Sequence, residues 1–182
     1  NQTPFNVTSM AENPKERSLA PEHGFQMDMT NRAHRGLELF ASLGPKISKE
    51  EFSAIKHDKF YSPATFYVAY LDTIAAQSFS DPNLQQAQQV LGQWDLGTDV
   101  DNTGAALGTC VFLAAERDDD RENHDAQAVA DLLNGCVEPL LASTGRLDPP
   151  WGEVNRHVRG DVNVPVGGGP DILRAIYGRD LD

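Results

Sequence analysis

Two side chains near the start of the chain have the chemistry of a reacting site. A carboxamide heads it, in Asn1-Gln2-Thr3-Pro4-Phe5, and an arginine follows 31 positions later, in Asn31-Arg32-Ala33-His34-Arg35. An Asn side chain can donate a hydrogen bond to an oxyanion developing on a carbonyl, and an Arg can hold that amide in place. Asn-x-Thr-Pro is also ordinary turn chemistry, so the pair needs support from the rest of the chain.

Other chemistries find less support. The histidines are His23, His34, His57, His124 and His157. No two stand at i, i+4 on one helix, and no His-Glu-x-x-His occurs, so surface or hydrogen-bonding roles are the default. Ser and His are both present, but there is no Gly-x-Ser-x-Gly elbow. Gly167-Gly168-Gly169-Pro170 lacks the phosphate-loop Lys and reads as a close backbone approach or a tight turn, with a ligand-lining loop as the alternative. Asp118-Asp119-Asp120 has no Gly or Glu at EF-hand offsets and reads as a solvated turn. Cys110 and Cys136 read as buried thiols, Cys110 on an apolar helix face, with one disulfide as the alternative.

The elements that must carry these residues are mostly helical. Residues 1–29 are punctuated by Pro4, Asn13-Pro14, Pro21 and Gly24 and hold no period, so an irregular segment opens the chain. Residues 30–145 form a helical region. Thr30 or Asn31 caps a helix over roughly 31–43, stopped by Gly44-Pro45. Ser48-Lys49-Glu50-Glu51 is a capping box that opens a short helix carrying Phe52 and Ile55. Ser62-Pro63 starts a third helix running to about 79, with Phe66, Tyr67, Tyr70, Leu71 and Ile74 inward. Asp81-Pro82 starts a fourth, ended by Gly92. Two more cover about 103–117 and 124–143, on either side of the aspartate run. Residues 146–182 change texture. Short β-type runs at 154–158 and 162–166 flank Arg159-Gly160-Asp161 as a hairpin loop, and Asp171 begins another helix. A lone hairpin is marginal in water, and with the long irregular opening and the missing initiator Met it suggests a piece of something larger.

The 182 residues are 40% apolar, enough for a packed core. A net charge of −12 argues against nucleic acid or anionic membrane as partners, since both need clustered Lys and Arg. No apolar run approaches the ~18 residues of a membrane span.

Four segments, taken in order, resemble one family. They are Asn1 to Phe5; Asn31-Arg32-Ala33-His34-Arg35 with Leu37-Glu38-Leu39; Gln93-Trp94-Asp95 with Asn102-Thr103-Gly104-Ala105-Ala106-Leu107; and Trp151-Gly152-Glu153-Val154 through Arg159-Gly160, Pro165 and the triple glycine. Their order and spacing resemble the β-subunit of penicillin acylases and acyl-homoserine lactone acylases, which are N-terminal nucleophile hydrolases. The resemblance covers nearly the whole chain. It implies a mainly α segment with a C-terminal β-hairpin, belonging to a larger αββα fold. It implies an exported precursor that cuts itself to expose an N-terminal Ser, which attacks an amide carbonyl with its own α-amine as base. The oxyanion is then held by a backbone N–H and by an Asn amide that an Arg orients.

On this resemblance Asn1 matches the oxyanion Asn and Arg32 the orienting Arg. Residue 1 is Asn rather than Ser, Thr or Cys, so the nucleophile is expected upstream, on other segments of the same precursor. The implied substrate is a small N-acyl amide and the implied location is periplasmic or extracellular. No cofactor is expected. Some family members bind Ca²⁺ through a carboxylate in the loop after the oxyanion Asn, and Glu12 sits near that place, but the local match is poor and no metal is assigned. The rival reading is a non-catalytic helical binding or scaffolding module.

Overall fold

The computed structural model describes residues 14–15, 29–117 and 125–173. Asn1, Glu12, most of the irregular opening segment and the aspartate run at 118–120 lie outside the described residues. Among the described residues are seven helices and one two-stranded antiparallel hairpin: α1 (Asn31–Ala41), α2 (Lys49–Lys56), α3 (Val68–Ala76), α4 (Pro82–Gln93), α5 (Ala105–Glu116), α6 (Ala126–Thr144), α7 (Trp151–Val154), β1 (Arg156–Arg159) and β2 (Val162–Pro165). The expected mainly helical segment with a closing hairpin is what forms.

The helix starts follow the capping residues. The Thr30 side chain accepts from Ala33 N–H at the head of α1. Ser48 and Glu51 exchange both bonds of a capping box at α2, at 3.1 and 2.7 Å. Asp81 caps α4 with Pro82 in its first turn. Asp125 accepts from Gln127 and Ala128 N–H at α6, which ends on Gly145 at φ 73°.

The core is built around α5. Ala105, Ala106, Leu107, Val111, Phe112 and Ala115 are all buried, because this helix is covered on nearly every side. Leu133, Val137 and Leu140 of α6 and Tyr70 and Ile74 of α3 join the same cluster. Tyr61, Tyr67 and Trp94 surround Phe112: the Tyr61 ring meets it edge-on at 4.8 Å and the Tyr67 ring stacks on it at 4.9 Å. Trp94 lies against α5 where Gly104 and Gly108 leave room; a Cβ on Gly108 would stand 2.2 Å from the indole.

Four expectations change. Cys110 and Cys136 are not thiols: they form a disulfide that ties α5 to α6 across a Cα–Cα distance of 5.8 Å. The third helix begins at Val68, not at Ser62-Pro63: Tyr61 and Ser62 are tied through their N–H groups to Leu96 O and Asn31 Oδ1, and Thr65 N–H turns back only three residues, to Ser62 O, so 63–67 run as turns. The hairpin starts at Arg156. Residues Trp151 to Val154 form a helical turn instead, because the Trp151 and Gly152 N–H groups bond the carbonyls of Asn102 and Val100 and bury the indole. Residues 171–173 form a turn and bend, and Asp171 stands at φ 49°, outside helical space, so no helix begins at Asp171; the remainder of that expected helix lies outside the described residues. Phe52 is exposed on α2, while Ile55 is buried.

The strands pair Arg156 with Pro165 and Arg159 with Val162, around a turn at Gly160, φ 57°. Every hairpin residue is exposed.

Candidate functional site

Three irregular segments form the platform on which α1 begins. Tyr61 N–H bonds Leu96 O and Thr98 N–H bonds Lys59 O, both at 2.9 Å, joining segment 59–62 to segment 96–98. Gly168 N–H then bonds Thr98 O at 2.9 Å and brings in segment 167–171. The triple glycine allows this close approach: a Cβ on Gly167 would lie 3.1 Å from the Lys59 side chain and 3.2 Å from Thr98 O. The Trp151 indole N–H holds the Gly168 carbonyl at 2.8 Å, and the Asn155 amide donates to the carbonyls of Val166 and Gly168. These bonds explain why Trp-Gly and Gly-Gly-Gly-Pro stand where they do.

The first residues of α1 dock on this platform. Asn31 is 1% exposed, and a buried amide must have its bonds made. Its Nδ2 donates to Asp171 O at 2.7 Å and its Oδ1 accepts from Ser62 N–H at 2.7 Å. Its backbone N–H, one of the groups a helix start leaves without an internal partner, donates to Asp171 Oδ2 at 2.7 Å. The other carboxylate oxygen of Asp171 accepts from Arg32 Nε at 3.1 Å. Asp171 is fixed from behind as well: the buried Tyr61 hydroxyl donates to Pro170 O at 2.9 Å.

Arg32, expected as an orienting cation, therefore spends one N–H on Asp171. Its side chain is 55% exposed, and its two Nη groups have no partner among the described residues. Arg35, one turn on, is engaged differently. It makes a fork of two 2.9 Å bonds to Asp58, lies 5.5 Å from the Phe60 ring centre, and also reaches Glu38. The Asp58 bonds raise its pKa above the ordinary value. Glu38 accepts from the Ser62 hydroxyl. His34 sits on the same helix, and burial holds its pKa below the ordinary imidazole value despite the opposing pull of Glu38 and Asp171. Burial likewise pushes the Tyr61 phenol far upward, so it stays a neutral donor.

The Trp94-Asp95 motif is a brace. The indole N–H donates to Gly97 O at 2.8 Å. Asp95 Oδ1 accepts from Gly97 N–H and from the Asn102 amide, and Asn102 Oδ1 in turn accepts from Gly104 and Ala105 N–H at the start of α5. Leu96 between them takes φ 64°, an unfavourable region for a branched side chain, and its carbonyl is the one that receives Tyr61 N–H. A cavity of about 470 Å³ opens beside this loop, walled by Phe60, Trp94, Asp95, Asp99, Asn102 and Asp148 among others. Asp99 there is paired with Lys59.

Asn1 lies outside the described residues, so only the Arg32 half of the expected pair has a described setting. The sequence does not mark Asp171, Asn31 or Ser62 as site residues. Asn31 reads there as a cap and Asp171 as a helix start; the one usable signal was an Asp directly after Gly-Gly-Gly-Pro, a residue that tolerates left-handed backbone better than most. Among the described residues no group of three or more His, Cys, Asp or Glu could hold a metal ion, and no helix is long and apolar enough to cross a membrane.

The penicillin amidase family model matches residues 6–179 of the chain. No curated protein matches it.

Proposed function

Because the chain belongs to the penicillin amidase family, a family of amide hydrolases, we propose that it is the part of the acylase β-subunit carrying half of the oxyanion hole. The substrate is a small N-acyl amide such as an acyl-homoserine lactone, a β-lactam or an acylated peptide. The nucleophile is an N-terminal Ser outside these 182 residues, on another segment of an exported precursor that processes itself within the larger αββα fold. The Ser hydroxyl attacks the amide carbonyl and its α-amine takes the proton; that proton passes to the departing amine as the C–N bond breaks, and water then hydrolyses the acyl-enzyme to the carboxylate. Asn1 donates Nδ2–H to the tetrahedral oxyanion. Arg32 donates to Asn1 Oδ1, which turns the carboxamide so that its N–H, not its oxygen, faces the negative charge.

The setting of Arg32 is the observation that supports this reading. Among the described residues its guanidinium is anchored through Nε alone, at 3.1 Å from Asp171, beside an Asn31 that is buried and bonded through its backbone N–H and both ends of its amide. Four N–H bonds on the two Nη atoms remain for a further acceptor. An arginine meant only for structure is better served by the fork that Arg35 makes with Asp58. No cofactor enters the reaction so written. The Cys110–Cys136 disulfide supports a periplasmic or extracellular location, where such bonds persist.

The test is Asn1→Ala in the full-length protein, assayed for amine release from a panel of fatty-acyl and phenylacetyl amides. Losing an oxyanion donor should lower kcat by roughly 10²–10³, about 2.7–4 kcal/mol, with little change in KM or melting temperature. Unchanged turnover removes Asn1 from the mechanism. Failure of the unmodified protein to cleave any N-acyl amide removes the acylase reading.

A further inference from the structure

We infer that Asp171 is a positioning residue for the reaction: its carboxylate sets the direction of the Arg32 guanidinium, and through Arg32 that of the oxyanion-binding amide. The inference rests on the acylase reading given above.

The geometry is specific to a carboxylate. Asp171 uses both oxygens on two consecutive residues of α1, Oδ2 on the Asn31 N–H at 2.7 Å and Oδ1 on Arg32 Nε at 3.1 Å. A negative charge at a helix amino terminus is favoured by the unpaired N–H groups and the helix dipole, so helix and carboxylate hold one another. Asp171 cannot drift. Its own carbonyl accepts from the buried Asn31 amide, and the preceding carbonyl, of Pro170, accepts from the buried Tyr61 hydroxyl. Its backbone is held at φ 49°, where few side chains are tolerated and Asp or Asn is among the least costly. The side chain of Asp171 is only 16% exposed while that of Arg32 is 55% exposed. The less exposed member, held through its backbone and both carboxylate oxygens, is thus the fixed one, and Arg32 takes its direction from it. An exposed ion pair of this kind adds little to stability, so its value lies in orientation. With Nε occupied, the guanidinium plane can pivot only about the Nε–carboxylate contact, which restricts where both Nη groups reach.

Asp171→Asn is the sharp substitution. It keeps the shape and the left-handed tolerance. It leaves one acceptor oxygen where two donors converge, so either the Asn31 N–H or Arg32 Nε faces an NH₂ group. Loss of a bond to a charged group is worth roughly ten- to a hundredfold in rate. In the full-length protein, kcat per titrated active site should fall by that factor with KM nearly constant. A merely structural Asp171 would lower the melting temperature or the fraction of active sites, and leave kcat per site intact.

A second measurement separates positioning from folding. Arg32→Ala should lose turnover, and added guanidinium at millimolar concentration should restore part of it, because the Asp171 carboxylate can seat the free cation. In Arg32→Ala/Asp171→Asn the restoration should vanish. Should Asp171→Asn fail to accumulate, Asp171→Ser, whose hydroxyl still accepts from the Asn31 N–H, carries both comparisons. Wild-type kcat per site in the Asp171 variant, or equal guanidinium rescue with and without the carboxylate, overturns the inference. If Asn1→Ala and Arg32→Ala both retain full turnover, it is the oxyanion assignment that falls, and the inference falls with it.

Discussion

The contact of Trp94 with α5 makes a prediction whose sign is opposite to that of simple helix propensity. Replacing Gly108 by Ala adds one methyl group in a helix interior, which by propensity alone stabilises by about 1 kcal/mol. Here the new Cβ would stand 2.2 Å from Trp94 Cζ3, 2.3 Å from Cε3 and 2.6 Å from Cη2. Carbon contacts settle near 3.5 Å or more, so the indole would have to retreat by at least about 1.3 Å (3.5 − 2.2). It has nowhere to go. Its N–H is bonded to Gly97 O at 2.8 Å, and the rings of Tyr61 and Phe112 lie 5.9 and 5.2 Å from it. Overpacking of this kind costs about 1–3 kcal/mol, and a strained or broken bond at the buried indole N–H adds about 1–3 kcal/mol. Subtracting the propensity gain of about 1 kcal/mol leaves a net loss of about 3 kcal/mol. In a chain of this size that lowers the melting temperature by roughly 6–12 °C. Gly36 in the middle of α1 is the control: nothing lies within 4 Å of its added Cβ, so Gly36→Ala should gain up to about 1 kcal/mol. Thermal and urea unfolding of both variants, followed by indole emission, decides the matter. A Gly108→Ala protein as stable as the parent would refute the packing argument.

Two further predictions concern the disulfide and pH. The Cys110–Cys136 bond closes a 26-residue separation, for which chain entropy gives about 3.5 kcal/mol; Cys110→Ala/Cys136→Ala should lose stability on that scale in denaturant titration, and a variant within about 0.5 kcal/mol of the parent would contradict it. His34 has a depressed pKa in the fold, chiefly through burial. The unfolded chain therefore binds more protons as pH falls through about 6.5, and stability contributed by neutral His34 is present above that value and lost below it. Between about pH 7.5 and about pH 5.5 the melting temperature should fall less in His34→Gln than in the parent, and an identical fall would count against the assignment.

Local features of the chain were legible because the signals act within a turn. Ser48 with Glu51 and Asp81 with Pro82 each meet their own backbone a few residues away, and helices start there. The apolar spacing of Tyr67, Tyr70 and Ile74 placed them inward, and they are buried. Segment 62–67 shows the limit of such signals. Ser62-Pro63 has the local form of a helix start, but Tyr61 and Ser62 are anchored to Leu96 O and Asn31 Oδ1, and the chain turns through 63–67 before α3 begins at Val68. Spacing in the sequence carries no trace of such distant claims.

What the sequence determined by itself is the residue chemistry and its family: helical segments, their caps, a closing hairpin, and motifs shared with the penicillin amidases. What the tertiary structure decided is which of those groups meet. Cys110 could be a thiol or half of a disulfide until α5 and α6 set the two Cα atoms 5.8 Å apart. Asp171 was the start of a helix until its carboxylate, 139 positions from Arg32, closed on the head of α1. Propensity is a property of a few neighbouring residues, whereas a hydrogen bond or an ion pair needs two groups within about 3 Å, and only the packed chain brings them there.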